Sequence, residues 1–541
     1  MSTSRTPRRG RGPAVPCGAV PVTVCKALPR AFPKAPQRLA AAVLAGLLAA
    51  PAAVAQPLSA IDWLSDSIRA PVTVPRDDGA VADSAAVGEI TVTPLDEPGL
   101  DAVGLLPTSV TGFPRDLWGG SDVQTLTEQI ARIDATASPA LQDLLYTLLL
   151  AELDPPRGAG GENTLFLARV DKLLEMGALE QSKALLERAG PDTSALFRRW
   201  FDVSLLTGTE NAACDALRRK ADIAPTFQAR IFCLARNGDW NAAALTLETA
   251  KALGFLSPEE DALLARFLDP LLFEGLPPLP LPAHPTPLVF RMYEAIGQPI
   301  ATASQPLAFA HSDLRPVSGW KAQIEAAERL ARSGAIDENL LLGIYTERLP
   351  AASGGTWDRV AALQRFDVAL RARNTNAIAK TLPPAWRMLR EAGLETAFAR
   401  LYGAELAGFE LPGKAARIAY RLGLLSPDYE VIARNHRSDD PFETYLASVA
   451  AGTPSEPPAG NLRAAAVSEG FSSLTAPPDY APMLAEGRIG EAILAATDEF
   501  ARAFEGDPAD ASEAIALLRA VGLEDTARRA ALEFLLAGGA A

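Results

Sequence analysis

The sequence predicts an all-α chain, an irregular α-solenoid of helical hairpins preceded by a signal peptide and an extended segment. Three observations point there. From residue 121 onward, apolar side chains recur at three- and four-residue steps, the period that gathers them on one face of a helix. Ala and Leu dominate while β-branched and aromatic residues are sparse, which favours helix over strand. A leucine stands four places before a glycine at Leu173/Gly177, Leu234/Gly238, Leu330/Gly334, Leu389/Gly393 and Leu518/Gly522, with a three-residue variant at Leu484/Gly487. Glycine just past the last apolar position of a helix accepts the left-handed backbone of a C-cap. Gly177, Gly238, Gly334, Gly393 and Gly522 are therefore expected turn positions between paired helices.

Export is the first event along the chain. Residues 1–38 hold eight Lys/Arg and no acid, residues 39–50 form an apolar run, and Ala53-Val54-Ala55 precedes Gln56. This is the build of a secretory signal peptide over residues 1–55, with cleavage expected between Ala55 and Gln56. The apolar run is short for a bilayer span. Arg8-Arg9 lies too far upstream for a twin-arginine signal, and no cysteine follows the run to carry a lipid. A periplasmic or secreted protein without stable membrane insertion after signal removal is expected. Cleavage leaves 43 basic against 65 acidic residues, a formal charge of about −22. Such a surface repels nucleic acid, which is not expected as a partner.

Residues 56–120 change to Pro, Gly, Asp, Ser and Val with no sustained helical period, so an extended or poorly ordered segment is expected. Its apolar islands, Ile61 to Leu64 and the alternating Glu89 to Pro94, have two readings: docking back on the helices, or contact with a partner. Ser121-Asp122-Val123-Gln124 carries a capping-box pattern and opens an N-terminal helical-repeat block, 121–274. Helices fit 121–135, 139–153, 162–176, 179–189 and 193–207. Ser138-Pro139 and Ser257-Pro258-Glu259-Glu260 are clear helix starts.

Within this block, Leu234–Gly254 has the most complete pattern. Leu234 closes one helix, Gly238-Asp239 turns the chain, and Trp240 opens a second helix with Ala243, Leu247, Ala250 and Leu253 on one stripe. The stretch resembles the turn and second helix of a tetratricopeptide repeat, in which a Gly-Asp-Trp/Tyr turn leads into a helix with spaced alanines. A second echo pairs Leu253-Gly254-Phe255-Leu256-Ser257-Pro258-Glu259 with Leu422-Gly423-Leu424-Leu425-Ser426-Pro427-Asp428. Spacings of 61, 96, 59 and 129 residues between the turn glycines hold no fixed period, so the resemblance implies a degenerate repeat array.

Cys17 and Cys25 leave with the signal, and only Cys214 and Cys233 remain. Residues 211–220 and 226–236 read as antiparallel helices around a turn at 221–225, with the two cysteines symmetric about it. A disulfide closing a loop of about 20 residues would contribute roughly 3 kcal/mol in the chain-entropy model. The alternative is two small buried thiols in a helix interface. No His lies nearby to complete a metal site.

Prolines at 277, 278, 280, 282, 285 and 287 forbid helix and impose extension, so residues 275–318 are expected to be a Pro-rich spacer and irregular segment, the main internal boundary. A C-terminal helical-repeat block, 319–541, follows. It begins at Trp320, continues through 359–371, 376–392, 395–408, 413–422, 427–436 and 441–451, and closes with 486–504 and 509–536.

Chemistry is thinly represented. The chain has no nucleophile elbow, Walker loop, dinucleotide fingerprint or His-Glu-x-x-His. Residues 157–161, Arg-Gly-Ala-Gly-Gly, lack the Lys-Ser/Thr that holds phosphate and read as a loop. His284, His311 and His436 have no ligand partner at i+3 or i+4, and each reads as a solvent-exposed or capping group. No catalytic residue, metal ligand or cofactor is expected. Two function classes remain. The first is an exported non-catalytic scaffold or adaptor that binds another protein, as helical solenoids commonly do. The second is a cell-envelope, peptidoglycan-acting hydrolase built on a helical superhelix, its acids dispersed among the 65 present.

Overall fold

The computed structural model describes residues 99–158 and 163–537. The signal peptide, the Ala55/Gln56 cleavage position, residues 56–98 of the extended segment and residues 159–161 of the Gly-rich loop lie outside the described residues. Among the described residues the regular structure is helical, without a β-strand and with one isolated bridge, Leu106–Ala151. No helix there is long and apolar enough to cross a membrane.

Helix starts follow the capping residues. Ser138 accepts from the Leu141 N–H ahead of helix Pro139–Leu150, and Asp239 accepts from Ala242 ahead of Trp240–Ala252. Ser257 and Glu260 form a reciprocal capping box on Pro258–Leu268. The first long helix is capped by Asp122 rather than by Ser121, and runs Val123–Arg132. Ends are set by the leucine–glycine pairs. Gly177, Gly238, Gly334, Gly393 and Gly522 adopt φ of +76, +85, +64, +68 and +87°. In each case the residue after glycine donates to the carbonyl of the paired leucine at 2.8 to 3.0 Å. At Gly238 the second bond of the motif is also present, from its own N–H to Ala235 O at 3.0 Å. This is a Schellman cap, and only a residue without Cβ enters it unstrained.

Two helix expectations change. Ala243, Leu247 and Ala250 are buried on Trp240–Ala252, but Leu253 is exposed because the helix stops one residue before it. The expected helix over 509–536 is two, Asp510–Ala520 and Glu524–Ala537, divided by the Gly522 turn. In contrast, Pro383 and Pro384 sit inside helix Thr375–Glu391, which continues through them.

Neighbouring helices pack pairwise along the chain, as in Phe227–Arg236 with Trp240–Ala252 and Thr356–Arg371 with Thr375–Glu391. The array then closes on itself. Helix Pro139–Leu150 packs against Glu524–Ala537, and Val123–Arg132 against Ile489–Ala503. One apolar core consequently runs through residues 113–309 and 420–535 together, while residues 320–422 form a second core. Residues 275–318 thus do not separate an N-terminal core from a C-terminal one. Their proline stretch folds against the following helix, Pro287–Ala295: Tyr293 Oη donates to Pro280 O at 2.6 Å and the Leu279 N–H to Gln298 Oε1 at 3.0 Å.

Residues 99–120 contain a 3₁₀ turn at Leu100–Ala102 and a one-turn helix at Thr108–Thr111, and they dock on the helices through Phe113, Leu117 and Trp118. Arg169, 1 % exposed, fixes the segment by donating to the carbonyls of Asp101, Val103, Leu149 and Ala151 at 2.9 to 3.1 Å. Asp101 returns the contact by accepting from the Phe166 N–H at 2.7 Å.

Candidate functional site

Where the array closes, the helix ends enclose a cavity of about 1170 Å³. Its walls come from residues 136–143, 329–338, 383–400 and 533–537, with Lys414 and Arg421 added. Buried Gln142, Ser333, Trp386 and Ala397 lie deep, and exposed Arg332, Arg387, Gly393 and Lys414 lie toward solvent. Seven cations line it against five acids: Arg329, Arg332, Arg387, Arg390, Arg400, Lys414 and Arg421 against Asp143, Glu338, Glu391, Glu395 and Glu533. That balance is opposite to the acidic character of the chain as a whole.

Several of these charges are spoken for. Arg400 pairs with Asp143, and Arg387 with Glu391 at 3.0 Å. Arg329 donates to the carbonyls of Thr302 and Gln305, both at 2.9 Å. Glu533 accepts from Ser138 Oγ at 2.6 Å and from the Ala140 N–H at 3.1 Å, so it caps the 139–150 helix from the far end of the chain. Burial pushes its pKa up to about 7. Burial also raises Glu395. Arg421 is held below its ordinary value by burial first and by neighbouring Arg390 second.

The cysteines lie elsewhere. Cys214 and Cys233 are joined as a disulfide with their Cα atoms 4.9 Å apart, linking helices Glu210–Arg219 and Phe227–Arg236. Glu210, 1 % exposed, ties the same hairpin by accepting from Arg236 and Arg291, each at 3.0 Å. Beyond this hairpin, exposed apolar side chains become frequent along the chain. Among the described residues, half of the most exposed large apolar side chains fall between 240 and 281, including Trp240, Leu245 (70 %), Leu271 (81 %) and Leu272 (71 %).

His284 is exposed, but the other two histidines are not solvent groups. His311 is buried with Nε2 2.7 Å from Gly177 O, and burial lowers its pKa. His436 stacks on Tyr420 and places Nε2 2.9 Å from Glu443 Oε2. Both satisfy local partners, and no group of three or more His, Cys, Asp or Glu among the described residues could hold a metal ion. The turn glycines shape helix ends; Gly334 and Gly393 also border the cavity. The cavity arginines are inconspicuous in the sequence, where each reads as an ordinary solvated helix residue. Only the closeness of Arg387, Arg390 and Arg400 along the chain gives any signal. Comparison with protein-family models, with curated proteins and with solved structures gives no match.

Proposed function

We propose that the chain is an exported, non-catalytic helical scaffold or adaptor that binds another protein in the periplasm or cell envelope. The observation that carries this reading is the concentration of exposed apolar side chains on residues 240–281. Leu245, Leu271 and Leu272 stand largely in solvent, and a run of such residues on consecutive elements is costly in water unless another surface covers it. The Cys214–Cys233 disulfide supports an oxidising compartment, since such bonds persist where thiols are not kept reduced. The leucine–glycine caps support the degenerate tetratricopeptide-like reading of the hairpins. Two measurements test the proposal. N-terminal sequencing of protein from the native host should begin at Gln56, and recovery of Met1 on a cytosolic product would overturn export. Cross-linking in the envelope fraction should give an adduct that disappears in a Leu245→Ser/Leu271→Ser/Leu272→Ser chain. An adduct retained by that variant would overturn the apolar contact.

A second reading, the envelope hydrolase, draws on Glu533, whose pKa near 7 suits a general acid. Both of its oxygens already serve Ser138 and Ala140 at a helix N-terminus, which favours a structural role. Peptidoglycan turnover by the wild-type chain, abolished by Glu533→Gln at unchanged stability, would reverse that preference.

A further inference from the structure

We propose that the cavity at the closure of the helical array is a binding site for a small ligand carrying two or more oxyanion groups, carboxylate or phosphate. The first ground is uncompensated positive charge. Arg332, Lys414 and Arg421 line the cavity, and their side chains make no hydrogen bond or ion pair with the described residues. Arg421 is partly buried; Arg390 and Arg417 oppose its charge, while Glu443 and Asp440, outside the lining, favour it. Like charges gathered in a concave, partly desolvated site repel one another and raise the local concentration of anions.

The acids do not cancel this charge. Asp143 and Glu391 are committed to Arg400 and Arg387, Glu533 is held by hydrogen bonds at a helix start, and Glu395 acts on Arg390. Glu338 acts on Arg400, so no lining acid is paired with Arg332 or Lys414.

The second ground is independent. Gln142, 3 % exposed, is among the lining residues, and its amide Nε2 has no acceptor. A buried donor left without a partner costs on the order of 1–3 kcal/mol, and an oxyanion is the acceptor that serves it and guanidinium groups together. Arg400, paired with Asp143, is one cationic centre of the lining. Arg390 and Arg421 form a second cationic centre. Two centres fit a ligand with more than one anionic group. The volume, about 1170 Å³, lies just above the roughly 300–1,000 Å³ usual for small-molecule sites. The walls are all from this chain, and no partner is needed to complete them.

Isothermal titration of the purified full chain with citrate and with pyrophosphate, against sodium chloride at matched ionic strength, is the test. Binding of at least one is expected. Citrate alone would assign carboxylate, and pyrophosphate alone would assign phosphate. Arg421→Gln should weaken binding about tenfold or more, the effect of losing one charge-assisted contact. The Arg421 side chain makes no hydrogen bond or ion pair that the variant would lose, and exposed Lys414→Gln gives a second variant whose folding is not at risk; a several-fold loss is expected there. Failure of both probes to bind would overturn the proposal. So would wild-type affinity in both variants, or the same heat from sodium chloride.

Discussion

Glu533 joins the last described helix to the N-terminus of the 139–150 helix, and its protonation should control how firmly the array is closed. Burial raises its pKa to about 7 from an ordinary value of 4.5, with Asp143 acting in the same direction and Ser138, Ala140 and Arg400 opposing. An acid whose folded pKa is raised holds its proton more tightly in the folded state. Its contribution to stability is fully present below about pH 4.5 and is lost as pH rises through about 7. At about 1.36 kcal/mol per unit the shift corresponds to roughly 3 kcal/mol. Some of the side chain remains open to the cavity, so roughly 2 kcal/mol is expected between about pH 5 and about pH 8. Glu533→Gln stays neutral throughout and keeps a carbonyl acceptor for the Ala140 N–H. Urea unfolding of both proteins at the two pH values measures the effect. The stability of the variant relative to wild type should rise by roughly 2 kcal/mol from the lower to the higher pH. Asp202, also lifted to about 7 by burial, titrates in both proteins and drops out of the difference. A relative stability independent of pH would refute the reasoning.

Three further perturbations probe the same frame. Arg169→Met strands four buried carbonyls and Asp101, and should cost about 3–5 kcal/mol in denaturant unfolding; a cost under about 1 kcal/mol would mean that solvent or a neighbouring donor replaces the guanidinium. Gly490 donates to Leu117 O at 2.9 Å, and a Cβ there would stand 2.5 Å from the ring of buried Trp118. Gly490→Ala should therefore lose about 2–3 kcal/mol and raise proteolysis of residues 99–120, with an unchanged cleavage pattern as the contrary result. Cys214→Ser should lower stability by about 3 kcal/mol, and thiol counting on denatured, unreduced wild-type protein should find no free thiol.

Local order was readable in the sequence because its causes are local. Ser257 and Glu260 lie three residues apart and meet within one turn, and Leu234 and Gly238 belong to the same helix end, so a short window contains the whole interaction. Closure is different in kind. Ser138 and Glu533 are separated by 395 positions, and Leu117 and Gly490 by nearly as many, and nothing in either neighbourhood marks its partner. The proline stretch from 277 to 287 shows the same limit. It forbids helix as expected, but whether a break in helix is also a break in the core depends on what the flanking helices meet later.

The cavity lies at the limit of this local reading. Arg332, Arg390 and the pair Lys414 and Arg421 occupy three separate helices, and each is acceptable alone as the solvated residue of an amphipathic helix. They meet only when the helices pack and bring them to one cavity, whose lining also holds a buried amide donor. Positions at which each local choice is sound but the assembled site is electrostatically unsatisfied are where selection for something other than stability is expected. In a chain with 65 acids available, placing one opposite Arg332 would have been a small change. Its absence there, beside the unpaired Gln142 amide, is better explained by an anionic ligand than by the requirements of the fold.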